Sequence, residues 1–176
     1  MKKQSIAKLL VLVMVLTMVP VTILAASAAN AGTNSAYYTI YEDTTVRVDD
    51  TVDGAIKATV VGGKATVALS AKAVESLAEM VKDGAIVLEI EAEGATKIDV
   101  TFPAQALTAV AKETGADLTI KSSVATITIP NEILSSEFAS FGTVRISAQN
   151  SEDNVGFSIQ AGGKALKNTD GIKVEF

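Results

Sequence analysis

Residues 97–130 read KIDVTFPAQALTAVAKETGADLTIKSSVATITIP, and this stretch decides the fold. Apolar residues alternate with polar ones up to Pro103, a pattern typical of a half-buried strand. Leu107, Val110 and Ala111 then recur at helical spacing, and Pro103 suits the first turn of a helix. The stretch therefore predicts a strand that runs directly into an amphipathic helix.

The same strand-to-helix step is predicted three times along the chain. Its strands are Ala65–Ser70, Ile98–Pro103 and Ala125–Pro130. Ser70 can cap the N-terminus of the first helix, whereas Pro130 suits the first turn of the third. The apolar faces of the helices are Val74, Leu77, Ala78 and Val81 in the first, Leu107, Val110 and Ala111 in the second, and Leu134, Phe138 and Phe141 in the third. Asp83-Gly84 and Thr114-Gly115 are predicted to end the first two helices.

Each of these strands is preceded by another alternating segment, which predicts hairpins. The predicted pairs are Ile56–Val61 with Lys64–Leu69, Ile86–Ala92 with Lys97–Phe102, Asp117–Lys121 with Val124–Ile129, and Thr143–Ala148 with Val155–Ala161, followed by a last strand at Ile172–Phe176. Gly62-Gly63 is a strong two-residue turn signal for the first pair. We expect an α+β fold of repeated strand-strand-helix units, with a mixed or antiparallel sheet and the helices packed on one face.

The N-terminus predicts export. Three lysines precede a continuous apolar stretch over 9–24, and Ala26-Ser27-Ala28 fits the rule for signal-peptide cleavage, with Ala29-Asn30-Ala31 as a second candidate site. We therefore divide the chain into a signal peptide (1–28), a flexible leader with the first strand (29–54) and an α+β surface module (55–176). Because the sequence ends inside a predicted strand, C-terminal truncation of the module is an open alternative.

The composition excludes several kinds of catalytic chemistry. The 176 residues include no His, Cys or Trp. A Ser-His-Asp or Cys-His pair, a His or Cys zinc site and a disulfide therefore cannot form. We expect no enzyme activity, no cofactor, and no catalytic, cofactor-binding or metal-binding residue.

The charge of the chain argues against nucleic acid as a partner. Three of the 15 basic residues lie in the predicted signal, so the mature chain keeps 12 basic against 20 acidic residues, a net charge of −8. The remaining cations, such as Arg47, Lys57, Lys97 and Arg145, are scattered along the sequence. An acidic domain without clustered cations is a poor nucleic-acid binder.

Glu89, Glu91 and Glu93 are the best candidates for catalysis by carboxylates, since two carboxylates alone can hydrolyse a glycosidic bond. They occupy alternate positions of one predicted strand, and apolar residues occupy the other positions. Strand geometry places the three glutamates on one face. A solvated face has the same pattern, and we interpret the glutamates in this way.

Three further clusters have a structural and a functional interpretation. The acidic stretches 49–54 and 152–154 carry oxygens that calcium prefers, but neither matches the calcium-binding loop, and Asp and Asn are ordinary turn residues. Tyr37, Tyr38 and Tyr41 are compatible with a sugar-stacking platform. We favour turns for the acidic stretches and strand packing for the tyrosines.

Several of these segments resemble a region of Bacillota cell-surface proteins that lies just upstream of S-layer homology repeats. The resemblance is carried by residues 99–107, 115–120, 124–130 and 156–164 within the span 55–176. It implies an exported envelope protein whose module acts as a spacer, assembly or display domain, without catalytic residues. No S-layer homology repeats follow in this sequence, which leaves the means of retention open.

We therefore expect a non-enzymatic structural or interaction module that is secreted or attached to the cell envelope of a Gram-positive bacterium. Its expected partners are other surface proteins or wall polymer, with self-association through edge strands as a further possibility. We expect no nucleic-acid partner, and no membrane association after the signal is removed. A secreted domain that binds carbohydrate or wall polymer, with or without calcium, is the second hypothesis, and a secreted hydrolase is the third.

Overall fold

The chain passes back and forth between two β-sheets. A computed structural model describes residues 38–40 and 44–176. The predicted signal peptide, Tyr37 and Tyr41 lie outside the described residues, and Tyr38 begins the first described strand.

The described residues form fourteen strands, three α-helices and one 3-10 helix. The strands are β1 (Tyr38–Ile40), β2 (Thr45–Val48), β3 (Ile56–Lys57), β4 (Val60–Val61), β5 (Lys64–Leu69), β6 (Val81–Lys82), β7 (Ala85–Glu91), β8 (Lys97–Pro103), β9 (Asp117–Ser122), β10 (Thr126–Ile129), β11 (Thr143–Ser151), β12 (Asn154–Ala161), β13 (Lys164–Ala165) and β14 (Lys173–Glu175). The helices are α1 (Ala71–Ser76), which continues into the 3-10 helix Leu77–Met80, α2 (Ala104–Thr114) and α3 (Asn131–Ser136).

The strands are divided between two mixed sheets. The first sheet has the order β1-β2-β5-β8-β11-β12-β13, with β4 also paired to β5. The second has the order β14-β10-β9-β7-β3, with β6 also paired to β7. In each sheet three neighbouring strands are parallel: β2, β5 and β8 in the first, and β3, β7 and β9 in the second. The predicted α+β class is confirmed.

Each helix carries the chain from one sheet to the other. α1 leads from β5 to β6 and β7, α2 leads from β8 to β9, and α3 leads from β10 back to β11. The helices contact one another in the order α1, α2, α3, and together with the 3-10 helix they contact strands of both sheets. The expectation of a single sheet with helices on one face is therefore corrected to two sheets joined by a row of helices.

Two of the predicted hairpins form as expected. β9 pairs with β10, and β11 pairs with β12 over eight residue pairs. A third forms in part: β4 pairs with β5 across Gly62-Gly63, while Ile56 and Lys57 belong to the other sheet. The predicted last strand is present as β14 and pairs with β10.

The predicted hairpin between Ile86–Ala92 and Lys97–Phe102 is wrong. β7 lies in the second sheet and β8 in the first, and both contribute buried residues to the same core. Both strands alternate apolar and polar residues, and alternation fixes which side of a strand is buried but not which strand lies beside it. The same pattern therefore fits a hairpin and a connection between packed sheets.

Alternate residues of both sheets point inward and form one buried apolar cluster. Its members include Ala65, Val67 and Leu69 of β5, Ile98, Val100 and Phe102 of β8, Ile86, Leu88 and Ile90 of β7, and Leu118 and Ile120 of β9. The helices add their predicted apolar faces, with Val74, Leu77, Leu107, Val110, Ala111, Leu134 and Phe138 all buried. The inward-pointing residues of the strands thus form the core, and the residues that alternate with them point away from it.

The ends of the helices follow local sequence signals, with two differences from expectation. The hydroxyl of Ser70 accepts a hydrogen bond from the backbone N–H of Ala73 at 3.1 Å, so Ser70 caps α1 as predicted. Gly115 ends α2 with a φ of 66°, also as predicted. Pro103 and Pro130 stand at the cap position, one residue before the first turn.

Asp83-Gly84 does not end a helix. α1 and the 3-10 helix end by Met80, and the pair forms the turn of the short hairpin between β6 and β7. Both residues have positive φ, 52° at Asp83 and 78° at Gly84. Asp-Gly is the preferred pair for such a two-residue hairpin turn, which explains the misassignment.

Candidate functional site

The outward side of the first sheet is polar and positively charged. Because buried and outward residues alternate along β5, β8 and β11, Lys64, Lys97 and Arg145 all point away from the core. Arg47 of β2 lies on the same side and is exposed. Among the strand residues that the structure describes on this side, Asp99 is the only acidic one. We call this surface, defined by these five residues and the polar residues between them, the cationic face.

Strand register arranges the cationic face in three rows. The rows are Lys64, Lys97, Gln149 and Gly156, then Thr66, Asp99, Ser147 and Ser158, then Ala68, Thr101, Arg145 and Gln160. Neighbouring strands lie ~4.8 Å apart and every second residue of a strand lies ~6.7 Å further along. The Cα atoms of Lys97 and Arg145 are therefore roughly 14 Å apart, with the row of hydroxyls between them.

Asp99 is buried beneath Lys64 at the centre of the face. The Nζ atom of Lys64 lies 2.7 Å from Oδ2 of Asp99. The side chain of Asp99 is 4% exposed, whereas that of Lys64 is 42% exposed. Within the described part of the chain, Oδ1 of Asp99 is enclosed and has no hydrogen-bond partner of good geometry. The carboxylate is thus held from one side by a lysine that still reaches water.

The surroundings of Asp99 keep it charged. Burial raises the pKa of the carboxyl, but the hydrogen bond from Lys64 opposes this effect. The Ser147 hydroxyl on the neighbouring strand and the charge of Lys97 act in the same direction as Lys64, and the pKa of Asp99 lies below its ordinary value. Because Lys64 and Asp99 neutralise each other, Lys97 and Arg145 are left as surplus positive charge.

Neither surplus cation is paired within the described residues. The ion pairs found there are Lys57 with Glu91, Lys64 with Asp99, and Lys72 with Asp50. Lys97 is half-buried and Arg145 is exposed. Cations without a carboxylate at ion-pair distance attract anions from solution, although the charge of Lys97 also acts on Asp99 in the next row.

The outward side of the second sheet has a different charge balance. Its strands carry both signs, with Lys57, Lys82, Lys121 and Lys173 opposed by Glu89, Glu91, Asp117 and Glu175. Lys57 and Glu91 lie 3.9 Å apart and are both well exposed, which makes a weak pair. Positive charge is therefore concentrated on the first sheet, although the whole chain has a net charge of −5.

A shallow cleft of about 230 Å³ opens on the cationic face across β8, β11 and β12. It is lined by Lys97, Ser147, Gln149, Asn154, Gly156 and Ser158, with Ala148 and Phe157 completing the lining. The polar groups of this lining are one ammonium, two amides and two hydroxyls, without a carboxylate. Such a lining can hold an anionic group and hydrogen-bond hydroxyls around it.

The three glutamates that the sequence offered as carboxylate candidates are all exposed. Glu89 and Glu91 are exposed on β7, and Glu93 is exposed in the turn that follows. The buried positions of the strand are Ile86, Leu88 and Ile90, as the alternation predicted. Glu89 and Glu91 therefore lie on the solvated side of the second sheet, as favoured from the sequence, whereas Glu93 lies beyond the end of the strand that was predicted to hold it.

The acidic stretch at residues 49–54 contacts the first helix. Asp50 pairs with Lys72 of α1 at 2.6 Å and raises the pKa of that lysine. The carbonyl of Asp49 accepts a hydrogen bond from the Ser70 hydroxyl. Glu152 and Asp153 form the exposed turn between β11 and β12. In the part of the chain that the structure describes, no group of three or more acidic side chains is arranged to hold a metal ion.

No protein-family model, no curated protein and no solved structure matches this chain. The resemblance to the region before S-layer homology repeats accordingly stays a prediction. Over residues 38–40 and 44–176, no helix is both long enough and apolar enough to cross a bilayer.

Sequence reasoning missed the cationic face. Lys97 and Arg145 are scattered in the sequence, yet strands β8 and β11 are neighbours and place both cations on one surface. The available signal was the alternation of the strands, since Lys97 and Arg145 both stand at outward positions of predicted strands, whereas Gln149 lies just beyond the predicted end of its strand. That signal becomes informative only once the strand order is known, because alternation shows on which side of the sheet a residue lies but not which strands lie beside it.

Proposed function

We propose that this protein is a non-enzymatic, exported module that binds an anionic, hydroxyl-rich polymer of the cell envelope through the cationic face. The observation that carries the proposal is the gathering of unpaired Lys97 and Arg145 on one polar sheet surface of an otherwise acidic protein. The proposal joins the expected envelope location with the wall-polymer hypothesis.

The distribution of charge supports a polyanion as the ligand. An acidic protein is repelled from an acidic polymer unless its positive charge is concentrated where the polymer binds. The charge of Asp99, the one acid among the described strand residues of this face, is matched by Lys64. The outward side of the second sheet carries both positive and negative side chains and therefore attracts a polyanion less strongly.

The groups between the cations support a hydroxyl-rich polymer over a nucleic acid. Thr66, Thr101, Ser158 and Gln160 face outward, and their side chains make no hydrogen bond to another described residue. Proteins that bind single-stranded nucleic acid stack the bases on aromatic side chains. The outward residues of the strands described on this face, from β2 onward, include no aromatic side chain, and Phe157, which contributes to the lining of the cleft, alternates to the other side of β12.

The face supports this proposal better than the edge strands support self-association. β13 has only two residues, and β14 presents Lys173 and Glu175. Short edge strands and charged edge residues are the features by which proteins oppose pairing at sheet edges. A polymer on the sheet surface needs no free edge.

Binding to isolated cell walls tests the proposal. The full chain, produced in a bacterial secretion host, is incubated with Gram-positive walls before and after extraction of their anionic polymers. We expect co-sedimentation with intact walls, release by added salt, loss of binding to extracted walls, and no release of soluble sugar during incubation. Equal binding to intact and extracted walls, or displacement by an oligonucleotide as readily as by wall polymer, would contradict it.

A further inference from the structure

We infer that the cleft over Gly156 is a subsite for one hydroxylated unit carrying a single carboxylate or phosphate. This inference rests on the proposed function and adds to it the position and chemical class of the bound unit. The polymer would contact the whole face, whereas its anionic unit would occupy this cleft.

Gly156 is the first reason to assign a ligand to the cleft. It lies in the interior of the eight-residue strand β12, where a glycine lowers stability. Its backbone does not require glycine, since its φ is not in the left-handed region. Packing does not require it either, because a Cβ at this position would meet no atom within 4 Å. The missing side chain instead leaves the cleft open, as expected where a ligand approaches the backbone closely.

The register around Gly156 supplies the second reason. Gly156 lies opposite Gln149 of β11, which in turn lies opposite Lys97 of β8. The open position, an amide and an ammonium therefore stand in one row across three strands. Asn154 and Ser158 are the next outward residues of β12 on either side of Gly156. A unit seated over Gly156 would have hydrogen-bonding groups on three sides.

The charge of the lining selects an anion. Lys97 is the one charged residue of the lining and has no ion-pair partner among the described residues. Asp99, in the next row, is paired with Lys64, and Lys97 acts on its charge only from beyond ion-pair distance. An ammonium without a carboxylate at ion-pair distance favours a carboxylate or phosphate oxygen, while the amides and hydroxyls suit the hydroxyls of a sugar or polyol.

The size of the cleft limits the ligand to one unit. Its volume of about 230 Å³ is below the ~300–1,000 Å³ of pockets that enclose drug-sized ligands. Such a cleft suits a single uronic acid residue or a single polyol phosphate. Further units of the polymer would lie over the hydroxyl row toward Arg145.

Titration of the full chain with small probes tests the inference. The probes are galacturonate and glycerol 3-phosphate, with galactose and glycerol as their neutral counterparts, and binding is followed by NMR shifts. We expect both anionic probes to bind about tenfold or more tightly than their neutral counterparts. The tighter of the two anionic probes identifies the carboxylate or the phosphate as the natural group. Equal binding of anionic and neutral probes would overturn the inference.

Two substitutions locate the binding. Gly156→Val fills the cleft with a residue that favours strands, and Lys97→Gln removes its charge without changing its length much. We expect each to weaken binding of the anionic probes about tenfold. Gly142→Val is the matched control, because Gly142 also has an ordinary φ and open space where its Cβ would lie. Gly142 directly precedes the first residue of β11, at the end of that strand away from the cleft. If Gly156→Val fails to fold, the effect of Lys97→Gln on binding of the anionic probes tests the inference by itself. Unchanged binding in a folded Gly156→Val variant would overturn the inference.

The same variants separate this inference from the proposed function. If wall polymer binds and Gly156→Val leaves that binding and probe binding unchanged, the subsite is wrong while the polymer-binding face stands. If the probes bind in a way that depends on Gly156 but no wall polymer binds, the subsite stands and the proposed function fails.

Discussion

Lys64 and Asp99 form an ion pair in which the lysine is much more exposed to solvent than the carboxylate. The two residues should therefore differ in what their removal costs in stability. The side chain of Lys64 is 42% exposed and can turn to water if its partner is removed. The carboxylate of Asp99 is 4% exposed and cannot turn to water in the same way. Removing the lysine leaves a buried charge without its main partner, whereas replacing the carboxylate by an amide leaves a neutral group that still accepts a hydrogen bond.

We therefore expect Lys64→Met to lower the free energy of unfolding by about 2–3 kcal/mol and Asp99→Asn by about 1 kcal/mol or less. Urea unfolding of the full chain at pH 7 measures both values. Lys57→Met is the control, since Lys57 forms only an exposed pair and should cost almost nothing. An equal cost for Lys64→Met and Asp99→Asn would contradict this description of the pair.

The lowered pKa of Asp99 also predicts a pH dependence. In the unfolded chain an Asp carboxyl titrates near ~3.9, and in the folded protein the pKa of Asp99 is lower. The unfolded state therefore binds more protons, and Asp99 contributes stability that is complete above the unfolded pKa and is lost as the pH falls through the folded pKa.

We expect the stability difference between the natural chain and Asp99→Asn to narrow as the pH is lowered from 6 to about 2.5. Urea unfolding of both proteins across this range measures it. Asp50→Asn provides a comparison at a more exposed carboxylate. A difference that widens on acidification would show that the folded pKa of Asp99 is raised, contrary to the geometry.

At the scale of the elements, Ser70 joins the end of β5 to the start of α1. Its hydroxyl accepts from the N–H of Ala73 at 3.1 Å and donates to the carbonyl of Asp49 at 2.8 Å. One side chain thus satisfies a free N–H of the helix and also fixes the loop after β2. The loop is held a second time by Ser76, whose hydroxyl accepts from the N–H of Val52.

We expect Ser70→Ala to destabilise the protein by about 1–2 kcal/mol, because both hydrogen bonds are lost. Thermal unfolding of the full chain measures the change. Ser136→Ala is a suitable control, since its hydroxyl bonds only to the carbonyl of Glu132 on the exposed surface of α3. A cost for Ser70→Ala no larger than that for Ser136→Ala would contradict the capping role.

Local elements could be predicted from the sequence because their signals are local. Ser70 and Gly115 act as helix ends through their own hydrogen bonds and dihedral angles. The hairpin of β9 and β10 is closed by a short turn in which Ser122 bonds to residues 124 and 125. The pairing of β7 with β3 and β9 could not be predicted, because these two strands are distant in sequence and the alternation of β7 does not identify them.

At the scale of the whole molecule, the division into two sheets creates the difference between the two outward surfaces. Lys97 and Glu91 are separated by only a short connection, yet they point outward from opposite sheets. A hairpin between β7 and β8 would have placed the glutamates beside Lys97 and neutralised it. The candidate site therefore depends on the strand order, which is why the sequence indicated its residues only as scattered cations.

The affinity of the full chain for a purified anionic polysaccharide, measured with two matched double variants, tests the central claim most directly. Lys97→Gln with Arg145→Gln removes two charges from the cationic face, and Lys121→Gln with Lys173→Gln removes two from the second sheet. Both double variants change the net charge equally. By isothermal titration with polygalacturonate at low salt, we predict about tenfold weaker binding for the first pair and less than about twofold change for the second. Equal weakening by both pairs, or no binding by the natural chain, would contradict the assignment of the cationic face.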